Sequence, residues 1–170
     1  MADVHSSEIR SKNMRAIRQQ DTAIEQRIAL LLKDRGFTYR VQDKNLPGRP
    51  DFVLLEQQAI IFVHGCFWHR HHCYLFKIPA TRTEFWIGKI NSNVERDQRY
   101  VKQLQENGWK VLIIWECALR GKLRLSDEDL QERLEEWLLV MKESAEIDHQ
   151  GIHHYRAPEL AALPISNIIG

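Results

Sequence analysis

The stretch PDFVLLEQQAIIFVH, residues 50–64, decides the fold. Asp51-Phe52-Val53-Leu54-Leu55 and Ala59-Ile60-Ile61-Phe62-Val63 are apolar runs of strand length, and the polar Glu56-Gln57-Gln58 between them reads as a hairpin turn. Strands this apolar are predicted to be central in a sheet. The same hairpin carries chemistry, because it brings Asp51, at the start of one strand, close to His64, at the end of the next.

Beyond it, residues 64–82 are irregular and rich in histidine and aromatic side chains, about as long as loops become without a function of their own. A polar helix is predicted from Thr83 or Asn93 to Asn107, stopped by Gly108, and residues 109–115 form a continuous apolar strand buried on both faces. Ser126-Asp127-Glu128-Asp129 opens a last helix with the apolar stripe Leu130, Leu134, Trp137, Leu138 and Met141, after which residues 144–170 show no periodicity. Ahead of the hairpin, residues 37–42 alternate as a half-buried strand and lead into a turn over residues 45–50. Apolar residues at 24, 28, 31 and 32 mark a first helix, opened by a Thr22–Glu25 capping box and stopped by Gly36. The order α-β-β-β-α-β-α predicts an α/β sheet with helices on its faces.

At 170 residues the chain has the length of one domain and is expected to build a single core. Residues 1–20, with Arg10, Lys12, Arg15 and Arg18, read as a basic arm, residues 21–152 as the domain, and residues 153–170 as a tail of unknown role. Three cysteines are too few, and odd in number, for a secreted disulfide framework. With no apolar N-terminal segment and no run near the ~18 apolar residues that cross a bilayer, a cytoplasmic protein without membrane association is expected. The net charge of +1 conceals a split. Residues 1–124 hold 21 Lys+Arg against 13 Asp+Glu, and residues 125–170 hold 3 against 10. The cationic portion predicts a polyanionic partner, while the acidic one reads as the solvated face of the last helix.

The run CFWHRHHC, residues 66–73, sets two thiols and several imidazoles together, and Cys117 follows the strand at 109–115. Zinc takes such donors in closed tetrahedral Cys₃His sites, and Cys66, His71, Cys73 and Cys117 supply one, with His69 and His72 as competing imidazoles. Asp51 is a candidate magnesium ligand for phosphodiester hydrolysis, and His64 and His69 are candidate bases near neutral pH. An aspartate entering a strand after Pro-Gly-Arg-Pro also has a structural reading. Glu25 is read as a cap and as a site residue alike, and Asp97 as a solvated helical aspartate ahead of one that orients a histidine. Phe67-Trp68 and Phe85-Trp86 lie in polar surroundings, as wedges for distorted duplex DNA or as a satellite core beneath the loop.

The segments LPGRPDFV (46–53), HGCFWHRHHCYLFKIPATRTEFW (64–86), NVERD (93–97) and VLIIWECALRG (111–121) closely resemble the very-short-patch-repair mismatch endonucleases, over about residues 11–152. The resemblance implies a restriction-endonuclease-like mixed α/β sheet flanked by helices, with a structural zinc site. It implies a monomeric, magnesium-dependent enzyme that nicks double-stranded DNA 5′ to the thymine of a T:G mispair left by 5-methylcytosine deamination, in a CT(A/T)GG context. Mismatch-repair accessory proteins are candidate partners. In matching positions Asp51 binds magnesium, His69 is the general base, His64 assists and Glu25 supports the site. Restriction enzymes carry a second acid and a lysine where this chain has Phe62-Val63-His64, so the Val63 carbonyl is the second magnesium ligand. Cys66, His71, Cys73 and Cys117 match the zinc set, and Phe67, Trp68 and Trp86 match the intercalating aromatics. The arm crosses the minor groove with Met14 near the bases, and Lys89 and Asn93 are candidates for base readout. The competing reading is a zinc-stabilised binder of distorted duplex that does not cut; a weaker third is a restriction endonuclease for fully paired DNA.

Overall fold

The computed structural model describes residues 23–158 and residue 160, so the basic arm with Met14, and Thr22 of the capping box, lie outside the described residues. The chain divides after Phe37 into two compact units. In the first unit, residues 23–34 are helical (α1), carrying Ile24, Ile28, Leu31 and Leu32 at the spacing of one helix face. Gly36, at φ 78°, ends it, and the Phe37 amide donates to the Leu32 carbonyl.

The second unit is a six-stranded sheet whose spatial order follows the sequence: β1 (Arg40–Val41), β2 (Phe52–Leu54), β3 (Ala59–His64), β4 (Lys110–Trp115), β5 (Ala145–Asp148) and β6 (Gly151–His154). Strands β1, β2 and β3 pair antiparallel, β3, β4 and β5 pair parallel, and β6 closes the sheet antiparallel to β5. The expected hairpin and the buried strand at 109–115 are both present. This mixed sheet with helical crossovers is the restriction-endonuclease-like arrangement. Helix α2 (Thr83–Glu106) links β3 to β4, and α3 (Glu116–Leu119) and α4 (Asp127–Leu139) link β4 to β5.

Three expectations are corrected. The strand at 37–42 shrinks to Arg40–Val41, because Gln42 adopts φ 51° and turns the chain away. Helix α2 begins at Thr83 and not at Asn93, although residues 83–93 look polar, because Ile87, Ile90 and Val94 form a buried stripe. Residues 144–154 are not aperiodic coil but the hairpin β5–β6; with four residues per strand and Glu146, Asp148, His153 and His154 among them, the apolar alternation is too short to stand out.

The core on the α2 side of the sheet is built from Val53, Ile60, Phe62, Val111, Ile113 and Trp115 against Val101 and Leu104. The alternate residues Phe52, Leu54, Ile61, Leu112 and Ile114 are buried as well, so the central strands are apolar on both faces. Helix α4 is held at both ends. The Ser126 hydroxyl accepts the Asp129 amide at 3.1 Å, and three acidic residues in the first turn favour the positive end of the helix dipole. Its last turn holds no basic residue of its own. Lys110, at the head of β4, supplies the missing charge: its Nζ donates to the carbonyls of Trp137, Leu138 and Met141 at 2.7, 3.1 and 2.8 Å. Hydrogen bonds to a charged group stabilise by roughly 1.5–3 kcal/mol, more than a single cap at about 1 kcal/mol. Lys110→Met is therefore expected to cost about 2–3 kcal/mol in denaturant unfolding and Ser126→Ala about 1 kcal/mol; the reverse order would refute this account of the helix ends.

Candidate active site and metal centre

Because β3, β4 and β5 run parallel, their carboxyl ends, His64, Trp115 and Asp148, lie along one edge of the sheet, the edge where α/β proteins bind ligands. The irregular segment after His64 starts there, Cys117 follows two residues after β4, and His149 follows β5. Two constellations form on this edge.

The first is Cys66, His71, Cys73 and Cys117, whose donor atoms all lie within 4.8 Å of one another. The His71 Nδ1 is 3.5 Å from both the Cys66 and the Cys117 sulfur. Bonds of about 2.3 Å to sulfur and 2.0–2.1 Å to nitrogen at tetrahedral angles place neighbouring S and N donors about 3.6 Å apart, so the residues fit a tetrahedral metal closely. Of the three histidines that compete on sequence, His71 is the one brought to the sulfurs; His69 stacks on His64, and His72 is exposed. The protein alone already charges this cluster. The Cys66 hydrogen bond lowers the Cys117 thiol, while the hydrogen bond with Cys117, and then burial, push the Cys66 thiol up. Burial opposes an imidazolium at His71, yet its bonds to Asp148 and Cys117 raise it to about 10.

Sequence reasoning missed what surrounds this cluster. The Asp148 carboxylate faces His71 Nε2 at 3.5 Å and His153 Nε2 at 3.0 Å, and His149 Nδ1 lies 3.4 Å from the Cys117 sulfur. A carboxylate behind a ligating imidazole fixes its ring and strengthens it as a donor. All three residues sit on the β5–β6 hairpin, which had no visible pattern, so no local signal could have placed them.

The second constellation lines a cleft of about 490 Å³ that includes Asp51, Val63, His64, His69 and Asp97. The turn before Asp51 needs Gly48: Pro47-Gly48 are its central residues, the Arg49 amide donates to the Leu46 carbonyl at 3.1 Å, and Gly48 has φ 77°. A side chain at Gly48 would also press on the Phe62 and Tyr100 rings, 3.0 Å away. Asp51 then continues the β2–β3 pairing. One of its oxygens accepts the Val63 amide at 2.7 Å and the other the Gln42 side chain at 2.9 Å, which fixes the carboxylate. Gln42 is a second residue that sequence reasoning missed.

His64 is buried beside Phe62 and Trp115 and stacks on His69, ring centres 3.8 Å apart. Burial, and then the charge of His69, lower it well below its usual value of 6.5, so it is a neutral imidazole near neutral pH. His69 Nδ1 meets the Asp97 carboxylate at 2.5 Å. Asp97 is thus not the solvated aspartate that its polar helix suggested but the partner of a histidine 28 positions away. With Nδ1–H donating to Asp97, Nε2 carries the free lone pair, the arrangement of an oriented base. Lys44, Arg49 and Arg96 bring positive charge to the same cleft.

The aromatics form one cluster: Phe67, Trp68 and Trp86 meet edge-on at 5.1–5.8 Å between ring centres, and Phe85 abuts Trp86 at 5.2 Å. Phe67 and Trp86 are half-buried, whereas Trp68 is 42% and Phe85 47% exposed, so the cluster packs on itself and presents a face to solvent. Lys89 is exposed on α2. Asn93 is engaged: its amide donates to the Trp68 carbonyl at 3.1 Å, and Arg96 donates to its oxygen. Glu25 belongs to α1 in the first unit.

A purified chain dialysed against metal-free buffer is expected to keep one equivalent of a tightly held divalent metal. Asp148→Asn is expected to weaken that retention by about 10–100-fold, read by competition with a chromophoric chelator; unchanged retention would remove Asp148 from the site.

Residues 2–75 match the family model described as DNA mismatch endonuclease Vsr. The chain is 65% identical over 153 residues to the DNA mismatch endonuclease Vsr of Escherichia coli, covering 90% of this chain and 98% of that protein. It is 39% identical over 122 residues to the type II nicking enzyme V.NmeAIP of Neisseria meningitidis, covering 72% of this chain and 87% of that one. To the type II nicking enzyme V.XorIIP of Xanthomonas oryzae it is 40% identical over 119 residues, covering 70% and 88%. The hairpin that carries Asp51 and His64 and the Cys66–Cys73 run both fall within the matched residues, and the chain belongs to the Vsr family of DNA mismatch endonucleases.

Proposed function

We propose that the chain is a magnesium-dependent endonuclease that nicks double-stranded DNA 5′ to the thymine of T:G mispairs, acting as a cytoplasmic monomer with zinc as its structural metal. The reading rests above all on one observation: the fixed Asp51 carboxylate and the oriented His69–Asp97 pair share a cleft that also holds Lys44, Arg49 and Arg96. Family membership supports it, as do the names of the nicking relatives. Among the described residues no helix is long and apolar enough to cross a membrane.

Asp51, with the Val63 carbonyl, would hold magnesium, which when bound polarises the phosphoryl group. His69 accepts the proton of the attacking water at Nε2. Asp97 keeps His69 in that tautomer and stabilises the imidazolium that results, as a carboxylate does behind any imidazole base. His64, neutral and stacked on His69, holds the ring plane without adding charge. Cys66, His71, Cys73 and Cys117 would hold zinc, the borderline-soft ion that suits three thiolates and one imidazole, and so fix the segment bearing Trp68 and His69. Phe67, Trp68 and Trp86 form the wedge that tests base stacking, which is weaker at a mispair.

In a nicking assay on a T:G duplex with magnesium, Asp51→Asn is expected to abolish cutting, and His69→Ala and Asp97→Asn to lower the single-turnover rate by about 100-fold or more with binding retained. Wild-type protein that binds without cutting would establish the non-catalytic reading, and equal cutting of fully paired DNA the restriction-enzyme reading. Trp68→Ala is expected to reduce the preference for mispaired over paired duplex at an unchanged melting temperature; parallel loss of both would make the cluster a satellite core.

A further inference from the structure

We infer that Arg49 binds a phosphodiester of the DNA strand at the Asp51 cleft, a role that rests on the proposed nuclease reading and adds a residue to it. The turn that delivers Asp51 explains Pro47 and Gly48 but not the residue after them. Arg49 takes φ 51°, a left-handed conformation that only glycine adopts freely, and it does so immediately before Pro50, where the proline ring restricts the preceding backbone further. Gln42 and Gln58 share that conformation for visible reasons: Gln42 turns back to bond Asp51, and Gln58 closes the β2–β3 hairpin. The Arg49 amide closes its own turn onto the Leu46 carbonyl at 3.1 Å, but the Arg49 side chain gains no contact from it. Among the described residues its guanidinium makes no hydrogen bond or ion pair, although Asp51 and Asp97 line the same cleft. Those carboxylates are already engaged, Asp51 by Val63 and Gln42, and Asp97 by His69. A cation without a partner among the described residues, two positions from the carboxylate that would hold magnesium, is placed to receive an anion.

The chemistry of the anion follows. A phosphodiester offers two non-bridging oxygens, and a planar guanidinium matches them as a fork. Held from the side of residues 47–50, the phosphate is presented to the cation at Asp51 and to water at His69.

The test uses the full chain and a mismatched duplex. Arg49→Gly, which accepts φ 51° freely, is expected to match or exceed wild type in melting temperature. Its binding should be about tenfold weaker, and the slope of log K against log salt shallower by about one. Arg49→Lys is expected to keep the slope, since the charge remains, and to nick more slowly, since the fork is lost. An unchanged slope in Arg49→Gly, or a fall in melting temperature with binding intact, would overturn the inference and make Arg49 a structural residue. Wild type that binds duplex without nicking would overturn the nuclease reading while the slope still decides Arg49; wild type that does not bind duplex overturns both.

Discussion

The pairing of β3 with β4 governs the site. Ala59 faces Lys110, and the register holds through to His64 facing Trp115. Two residues beyond that last pair come Cys66 and Cys117, so the register delivers two distant segments to the place where their sulfurs belong to one cluster. Strand alternation places His64 on the face that packs against α2, with Phe62 before it and Trp115 beside it, and Asp51 joins that face by extending the β2–β3 pairing. The cysteine centre and the acid–imidazole cleft are therefore two outcomes of one register.

Helix α2 supplies the second fixed element. Asn93 and Asp97 lie four positions apart, on one face of the helix, and they hold consecutive residues of the irregular segment: Asn93 the carbonyl of Trp68, and Asp97 the ring of His69. The exposed indole and the oriented imidazole are neighbours in the chain and are clamped by neighbours on the helix. The burial of His64 fits the same plan, since it keeps neutral the ring stacked 3.8 Å from His69.

Much of this was legible from residue type and local spacing. The apolar runs around residues 52–63 and 110–115 announced the central strands, and the Cys66–Cys73 run with Cys117 announced a cluster able to hold a metal, because soft donors at short spacing have few other uses. The choice of His71 over its neighbours was not readable locally; it depends on which imidazole the turn at residues 66–73 aims inward. Asp97 looked solvated because a polar helix gives no hint of a partner on a loop 28 residues earlier. Gln42, Asp148 and His149 could not be read at all, since each acquires meaning only when strands distant in sequence lie side by side.

Strand β4 is apolar on both faces, with Val111, Leu112, Ile113 and Ile114 all buried, so its hydrophobic pattern alone would tolerate a slip of one residue. Lys110 removes that freedom. Its ammonium meets three carbonyls at the end of α4, and a shifted strand would carry the charge to the opposite face, strand those carbonyls, and draw Cys117 away from Cys66. One lysine thus acts as an error check on assembly, making the misregistered sheet costly in a chain whose greasiest strand cannot tell its two sides apart.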